Sequence, residues 1–194
     1  MVTKEVLRKQ LRTSRQALGM EEREAYSQQI TSNCLLFLKQ FPKIRHVHLF
    51  LPIKKLLEVN TVSLLQSLFD LNYHVYSSIT VHHAQKMATV KLTPKTVYEN
   101  DKLGIPVPKD PVLMDDPKIV ELVFVPLLGI DSRGNRIGYG LGFYDRFFKE
   151  LSEDVMKIGL SFNAPMSEEL PHEPHDIPLD GCIHPGGITL FENY

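Results

Sequence analysis

The sequence predicts an α/β protein: one domain, residues 1–194, built on an open sheet flanked by helices. Three observations carry that expectation. Short apolar runs of strand length alternate with stretches of helical period. Such alternation is the pattern of helices layered on a sheet. A chain of 194 residues is also long enough for one domain with a sizeable core, and too short for two of ordinary size.

The elements follow in order. From Lys4 to about Leu18 the period is helical, with Leu7, Leu11 and Leu18 on one side. Lys4, Arg8, Arg12 and Arg15 lie beside them within roughly an 80° arc, a basic stripe whose default is a solvated face. A second helix is expected from near Glu21 through Ile30, Cys34, Leu35 and Leu38 to about Gln40, where Pro42 stops it. Val47 to Leu51 reads as a strand closed by Pro52, and Thr61 as the cap of a helix carrying Val62, Leu64, Leu65, Leu68 and Phe69. His74 to Val81, Met87 to Leu92 and, more weakly, Val155 to Phe162 read as strands, with His82 and His83 in a loop. Leu122 to Leu128 is the most apolar strand, and Lys109 to Lys118 an exposed loop. Ligands of open α/β sheets sit at the carboxyl ends of the strands.

Composition narrows the class. Hydrophobic residues at 43% and charged residues at 23% are the balance of a globular protein rather than a disordered one. Lysine and arginine total 22 against 23 acidic residues, a formal charge of −1, which argues against a nucleic-acid coat or a polybasic membrane binder. Cys34 and Cys182 are too few for a disulfide framework and suit a reducing, cytoplasmic compartment. The charged first turns contain no apolar signal core, and the longest apolar run, Leu122 to Ile130, falls far short of a membrane span.

The informative stretch runs from Gly129 to Arg146. Gly138, Gly140 and Gly142 follow the most apolar strand and precede a helical pattern from Phe143 to Glu150. Glycines let main-chain N–H groups approach a ligand, and a helix amino end favours phosphate. Arg136 could add a charge-assisted contact, and Asp145 could hold Mg²⁺ beside phosphates. The segment is neither a Walker A loop nor G-x-G-x-x-G, since Phe143 takes the last glycine position. From the residues alone, a tight strand-to-helix turn is as good a reading.

The whole segment Arg136-Ile137-Gly138-Tyr139-Gly140-Leu141-Gly142-Phe143-Tyr144-Asp145-Arg146 resembles the signature of the 5-formyltetrahydrofolate cyclo-ligase family. Lys4 and Arg8 on the first helix are similar to the family's amino-terminal Lys/Arg pair. Leu51-Pro52 with Glu58-Val59-Asn60-Thr61 resembles its Leu-Pro and Glu-Val-Asp-Thr element, and His175-Asp176-Ile177-Pro178-Leu179-Asp180 its closing motif. Phe143 stands for the first of two tyrosines, Leu141 for a glycine or cation, and Asn60 for aspartate.

The resemblance implies a single-domain sheet similar to the NagB/RpiA/CoA-transferase-like fold. It further implies ATP- and Mg²⁺-dependent conversion of 5-formyltetrahydrofolate to 5,10-methenyltetrahydrofolate. Under it Lys4, Arg8 and Arg136, Ile137, Gly138, Tyr139, Gly140, Leu141, Gly142, Phe143 and Tyr144 bind ATP. Asp145 and Asp176 hold Mg²⁺, with Arg136 and Asp145 catalytic. Leu51, Glu58, Tyr139, Gly140, Leu141, Gly142 and Phe143 face the folate, Glu58 accepting from pterin N–H groups. Small-molecule substrates, no nucleic acid, no membrane and a monomer are the expected partners and state.

The plainer readings stand beside these. Glu58 alone is an exposed carboxylate at a helix start, Asp176 a turn former, and Asp131 a cap or turn residue at a strand end. The resemblance assigns nothing to Arg12 or Arg15. His46 and His48 alternate on a strand and suit structural or solvent roles. His172, Glu173, His175, Cys182 and His184 lie near one another, but Pro174 and Pro178 disfavour a compact zinc ligand pair. A folate- or nucleotide-binding regulator without turnover is the alternative function, and an RNA-binding module lacks the aromatic run it needs.

Overall fold

The structure is a computed structural model that describes residues 2–81, 86–101 and 104–191. Four helices, α1 (Lys4–Ala17), α2 (Met20–Gln40), α3 (Val62–Asp70) and α4 (Phe143–Phe148), surround the sheet strands. The strands are β1 (His46–Leu49), β2 (His74–Val81), β3 (Lys86–Leu92), β4 (Tyr98–Asn100), β5 (Pro106–Pro108) and β6 (Val112–Leu113). They continue with β7 (Leu122–Pro126), β8 (Gly129–Ile130), β9 (Arg136–Ile137), β10 (Met156–Leu160), β11 (Gly181–His184) and β12 (Gly187–Leu190).

The main sheet has eight strands in the order β12-β11-β10-β7-β1-β2-β3-β6. Its centre is parallel, β1 pairing with β2 and β7, and β10 with β7 and β11. The outer strands β3, β6 and β12 run antiparallel. From β1 the chain builds outward to β2 on one side and later to β7 and β10 on the other. The sheet therefore reverses its winding between β1 and β7, and such a reversal opens a crevice at the carboxyl ends of those strands.

Burial explains why β7 reads as an uninterrupted apolar run. Leu122 and Phe124 pack on one face with Ile30, Phe37 and Leu38 of α2 and with Leu64 and Leu68 of α3. Val123 and Val125 pack on the other with Phe147 and Phe148 of α4. A strand covered on both faces has no polar side to show. Leu7 and Leu11 seat α1 against Leu128, Ile137 and Leu170.

The structure differs from the sequence expectations in several places. Within the Lys109–Lys118 loop, β6 adds a short edge strand to β3. Thr61 does not cap α3, since its hydroxyl is buried and donates to Phe50 O, and Asn60 Oδ1 accepts from Val62 N instead. The helix after the glycines ends at Phe148 rather than Glu150. The β8–β9 ribbon stands between β7 and the glycines, and β11–β12 and β4–β5 form hairpins not anticipated. The expected loop at His82 and His83 lies outside the described residues.

Candidate active site

The crevice between β1 and β7 opens into a cavity of about 940 Å³ lined by residues from several separate segments of the chain. Phe50 and Leu51 follow β1, Pro126 ends β7, and Ser77, Ser78 and Thr80 come from β2. The glycine loop, the first turns of α1 and residues 171–178 close the remaining sides. Of the residues singled out in the sequence, Lys4, Arg8, Leu51, Glu58, Arg136, Gly138–Tyr144, Asp145 and Asp176 all line it. Ile137 does not. It is fully buried against Leu128 and Leu170, so the ribbon uses it as an anchor and only its neighbours face the cavity.

The ribbon owes its shape to Asp131. This aspartate is fully buried, and Oδ1 accepts from Arg133 N and Asn135 N while Oδ2 accepts from Asn135 Nδ2 and Leu170 N. Four donors satisfy a charge that burial would otherwise make costly. Its part is that of a turn-former, and through it Arg136 enters the cavity from a fixed backbone.

Three of the four cations of the α1 stripe, Lys4, Arg8 and Arg15, are turned inward, and Arg12 stays exposed. Lys4 Nζ donates to Asp176 Oδ2 at 2.5 Å and lies 3.5 Å from Glu173 Oε1. Arg8 Nε donates to Gly138 O at 3.1 Å. Arg12 sits over the Tyr139 ring at 5.7 Å, and Arg15 is buried. Apolar anchoring by Leu7 and Leu11 sets the rotation of the helix, and of the four cations Lys4 and Arg8 reach the cavity.

Two cation–carboxylate pairs cross the site. Arg136 Nη2 donates to Asp145 Oδ1 at 2.6 Å, and its Nη1 donates to Ile177 O. Asp145 Oδ1 also accepts from Ile177 N at 3.1 Å, tying α4 to the closing loop. Burial raises the Asp176 carboxyl, but the Lys4 ammonium and the Glu173 N–H outweigh it and hold the group below the usual range. Gly140 has φ of +93°, a left-handed conformation, and an added Cβ there would meet the Arg8 guanidinium at 3.0 Å. Gly138 faces open space, with no heavy atom within 4 Å of such a Cβ.

Glu58 is not the exposed carboxylate its position suggests. Oε2 accepts from Ile53 N at 2.8 Å, and Tyr139 supplies a second hydrogen bond. Burial raises its pKa, which these bonds and Arg15 partly offset. Burial and the Glu58 charge push the Tyr139 phenol well above its ordinary value, so it stays a neutral donor.

Sequence reasoning missed His48. It lines the cavity, is fully buried, and binds Ser78 Oγ through Nε2 at 2.7 Å, while Nδ1 has no partner. Burial lowers its pKa to about 3. The alternation His46-Val47-His48-Leu49 held the signal, since one face of β1 had to be polar. Among the described residues no group of three or more His, Cys, Asp and Glu is gathered around a metal-sized space. Asp145, Asp176 and Glu173 line the cavity with carboxylate oxygens, the donor type that Mg²⁺ takes together with phosphate oxygens and water.

Comparison with known proteins shows the family. A 5-formyltetrahydrofolate cyclo-ligase from Haemophilus influenzae is 28% identical over 179 residues, covering 89% of this chain and 92% of that protein. One from Mycoplasma pneumoniae is 26% identical, covering 93% and 98%. The NMR structure of the Aquifex aeolicus 5,10-methenyltetrahydrofolate synthetase superposes with a TM-score of 0.81 at 26% identity, covering 100% of this chain and 95% of that one. The M. pneumoniae 5,10-methenyltetrahydrofolate synthetase shares the fold, with a TM-score of 0.72 at 22% identity over 95% and 99%. The family model for 5-formyltetrahydrofolate cyclo-ligases matches residues 1–185, and the chain belongs to that family.

Proposed function

We propose that residues 1–194 form one cyclo-ligase domain that converts 5-formyltetrahydrofolate to 5,10-methenyltetrahydrofolate, consuming ATP and releasing ADP and phosphate. The carrying observation is the single cavity in which Lys4, Arg8, Arg136, Asp145 and Asp176 meet Glu58 and Tyr139. One set of groups suits polyphosphate and its metal. The other suits a flat heterocycle with N–H donors.

The chemistry explains why no Ser-His-Asp or Cys-His arrangement is needed. The formyl oxygen is a poor leaving group. Its attack on the γ-phosphorus of ATP expels ADP and makes it the oxygen of a phosphate. N10 of the same folate then forms the new C–N bond to the formyl carbon, the C–O bond breaks, phosphate departs, and N10 gives up its proton. Both nucleophiles come from the substrate. The protein contributes alignment of the formyl oxygen with phosphorus and stabilisation of the transferring group.

In this reading Arg136 and Arg8 contact phosphate oxygens, and Lys4 neutralises charge at the same end. The Gly138–Gly142 backbone comes close to the nucleotide. Asp145 and Asp176 hold Mg²⁺, which when bound neutralises charge on the phosphate oxygens. Leu51 and Tyr139 bracket the folate, and Glu58 accepts from pterin N–H groups. The unbridged, buried Cys34 and Cys182 support a cytoplasmic setting. Among the described residues, no helix is long and apolar enough to cross a membrane.

The test mixes the protein with 5-formyltetrahydrofolate, ATP and Mg²⁺ and follows the absorbance of methenyltetrahydrofolate. Growth that stops when either ATP or Mg²⁺ is withheld is the expected result. A flat trace, with folate binding retained, would leave only a binding protein.

A further inference from the structure

An arginine on the polar side of an amphipathic helix belongs in water, and Arg15 is not there. It is 7% exposed. Burying a guanidinium is costly unless its donors are used. Here Nη2 donates to Leu127 O, and Nη1 donates to Tyr139 Oη at 2.9 Å and toward Leu56 O at 3.4 Å. The plane lies against the Phe162 ring at 5.8 Å. Leu127 follows β7, Leu56 lies in the short 3-10 turn after β1, and Tyr139 belongs to the glycine loop. One side chain therefore ties together the segments that leave both strands of the crevice and the loop that covers it.

The chain of contacts continues from Tyr139 to Glu58, whose carboxylate accepts from the phenol. Arg15 itself is absent from the cavity lining, while Tyr139, Glu58 and Leu56 are all on it. A flat fork of donors can serve three acceptors at fixed angles, whereas a lysine ammonium is a point charge on a flexible stem.

We propose that Arg15 is a positioning residue for the pterin-bearing substrate: by holding the Tyr139 phenol it fixes the donor that orients Glu58, and so governs folate affinity without touching folate. This rests on the proposed folate role of Glu58 and Tyr139. The nucleotide end, built by Arg8, Arg136 and Lys4, is outside this relay.

The experiment compares wild type, Arg15→Lys, Tyr139→Phe and the double variant by steady-state kinetics in both substrates, with melting temperatures on the same preparations. Arg15→Lys should raise the KM for 5-formyltetrahydrofolate at least tenfold while the KM for ATP moves less than twofold. Tyr139→Phe should show the same split, and the double variant should be no worse than the poorer single one, because both break one relay. Equal rises in both KM values, or a folate KM at the wild-type level in Arg15→Lys, would overturn the proposal. Should Arg15→Lys not fold, Arg15→Gln decides by the same KM split, since its amide can still donate to the Leu127 carbonyl while the fork that holds Tyr139 is lost. A wild-type chain that forms no methenyl product overturns both readings. Wild-type turnover with an unchanged folate KM in the variants overturns this one alone.

Discussion

Gly138→Ala separates a ligand cradle from a tight turn more cleanly than any other change in the loop. Gly138 lies outside the left-handed region, and its added Cβ would meet no protein atom within 4 Å. The substitution therefore strains nothing in the protein. Loss of backbone freedom in the unfolded chain should leave stability unchanged or raise it by about 0.4–1 kcal/mol. Gly138 nevertheless lines the cavity, and its carbonyl accepts from Arg8 Nε. If ATP phosphates approach this backbone, the methyl group occupies their space. Loss of one close charged contact, at least about 1.4 kcal/mol, corresponds to a tenfold or larger fall in kcat/KM for ATP. Thermal melting and kinetics on the same preparation give both numbers. A variant with unchanged kcat/KM would show that nothing comes near Gly138, and the cradle assignment would fall.

Three further outcomes are expected. Gly140→Ala should lose activity and also about 1–3 kcal/mol of stability, because φ of +93° strains alanine and its Cβ displaces Arg8; urea unfolding checks the second part. Asp145→Asn should raise the Mg²⁺ concentration for half-maximal turnover at least tenfold, and it should destabilise the protein by weakening the Arg136 pair; a Mg²⁺ titration that overlays the wild type would refute the metal role. His48→Gln should flatten the acid limb of stability. Folded His48 stays neutral down to about 3 while the unfolded chain protonates near 6.5, so wild-type stability falls as pH drops between those values. The difference between the two proteins should change by up to about 1.4 kcal/mol per pH unit, and parallel urea-derived stability curves at pH 7, 6 and 5 would refute it.

What could be read in the sequence was what period or motif encodes. α1, α2 and β7 announce themselves through apolar spacing, because each buries a face several residues long. The β4–β5 hairpin and β6, with strands of two or three residues, are too short to carry a period. β6 forms on the edge that β3 offers, and β4 and β5 pair with each other as a separate ribbon. Thr61 shows a different limit: a residue suited to capping was claimed by a buried carbonyl eleven positions back, at Phe50. Arg15 and His48 were illegible for a third reason. A charged or polar residue in a local pattern reads as solvent-facing, and only the tertiary partners that satisfy its donors reveal that it points inward.

The same reasoning accounts for how the candidate site carries so many charges. Lys4 is paired with Asp176, and Arg136 with Asp145, at 2.5 and 2.6 Å. In each pair the cation is the proposed phosphate contact and the anion the proposed metal ligand. The Lys4–Asp176 pair joins α1 to the closing loop across the length of the chain, while the local Arg136–Asp145 pair is tied to that loop through the Ile177 backbone. In the proposed reaction Mg-ATP brings one cation and several anionic oxygens together. Asp145 and Asp176 would then turn to the metal, and Arg136 and Lys4 to phosphate oxygens. ATP without the metal would satisfy the cations and leave each carboxylate with only its backbone donor, Ile177 N on Asp145 and Glu173 N on Asp176. In the proposed reaction that asymmetry would favour the nucleotide as its magnesium complex.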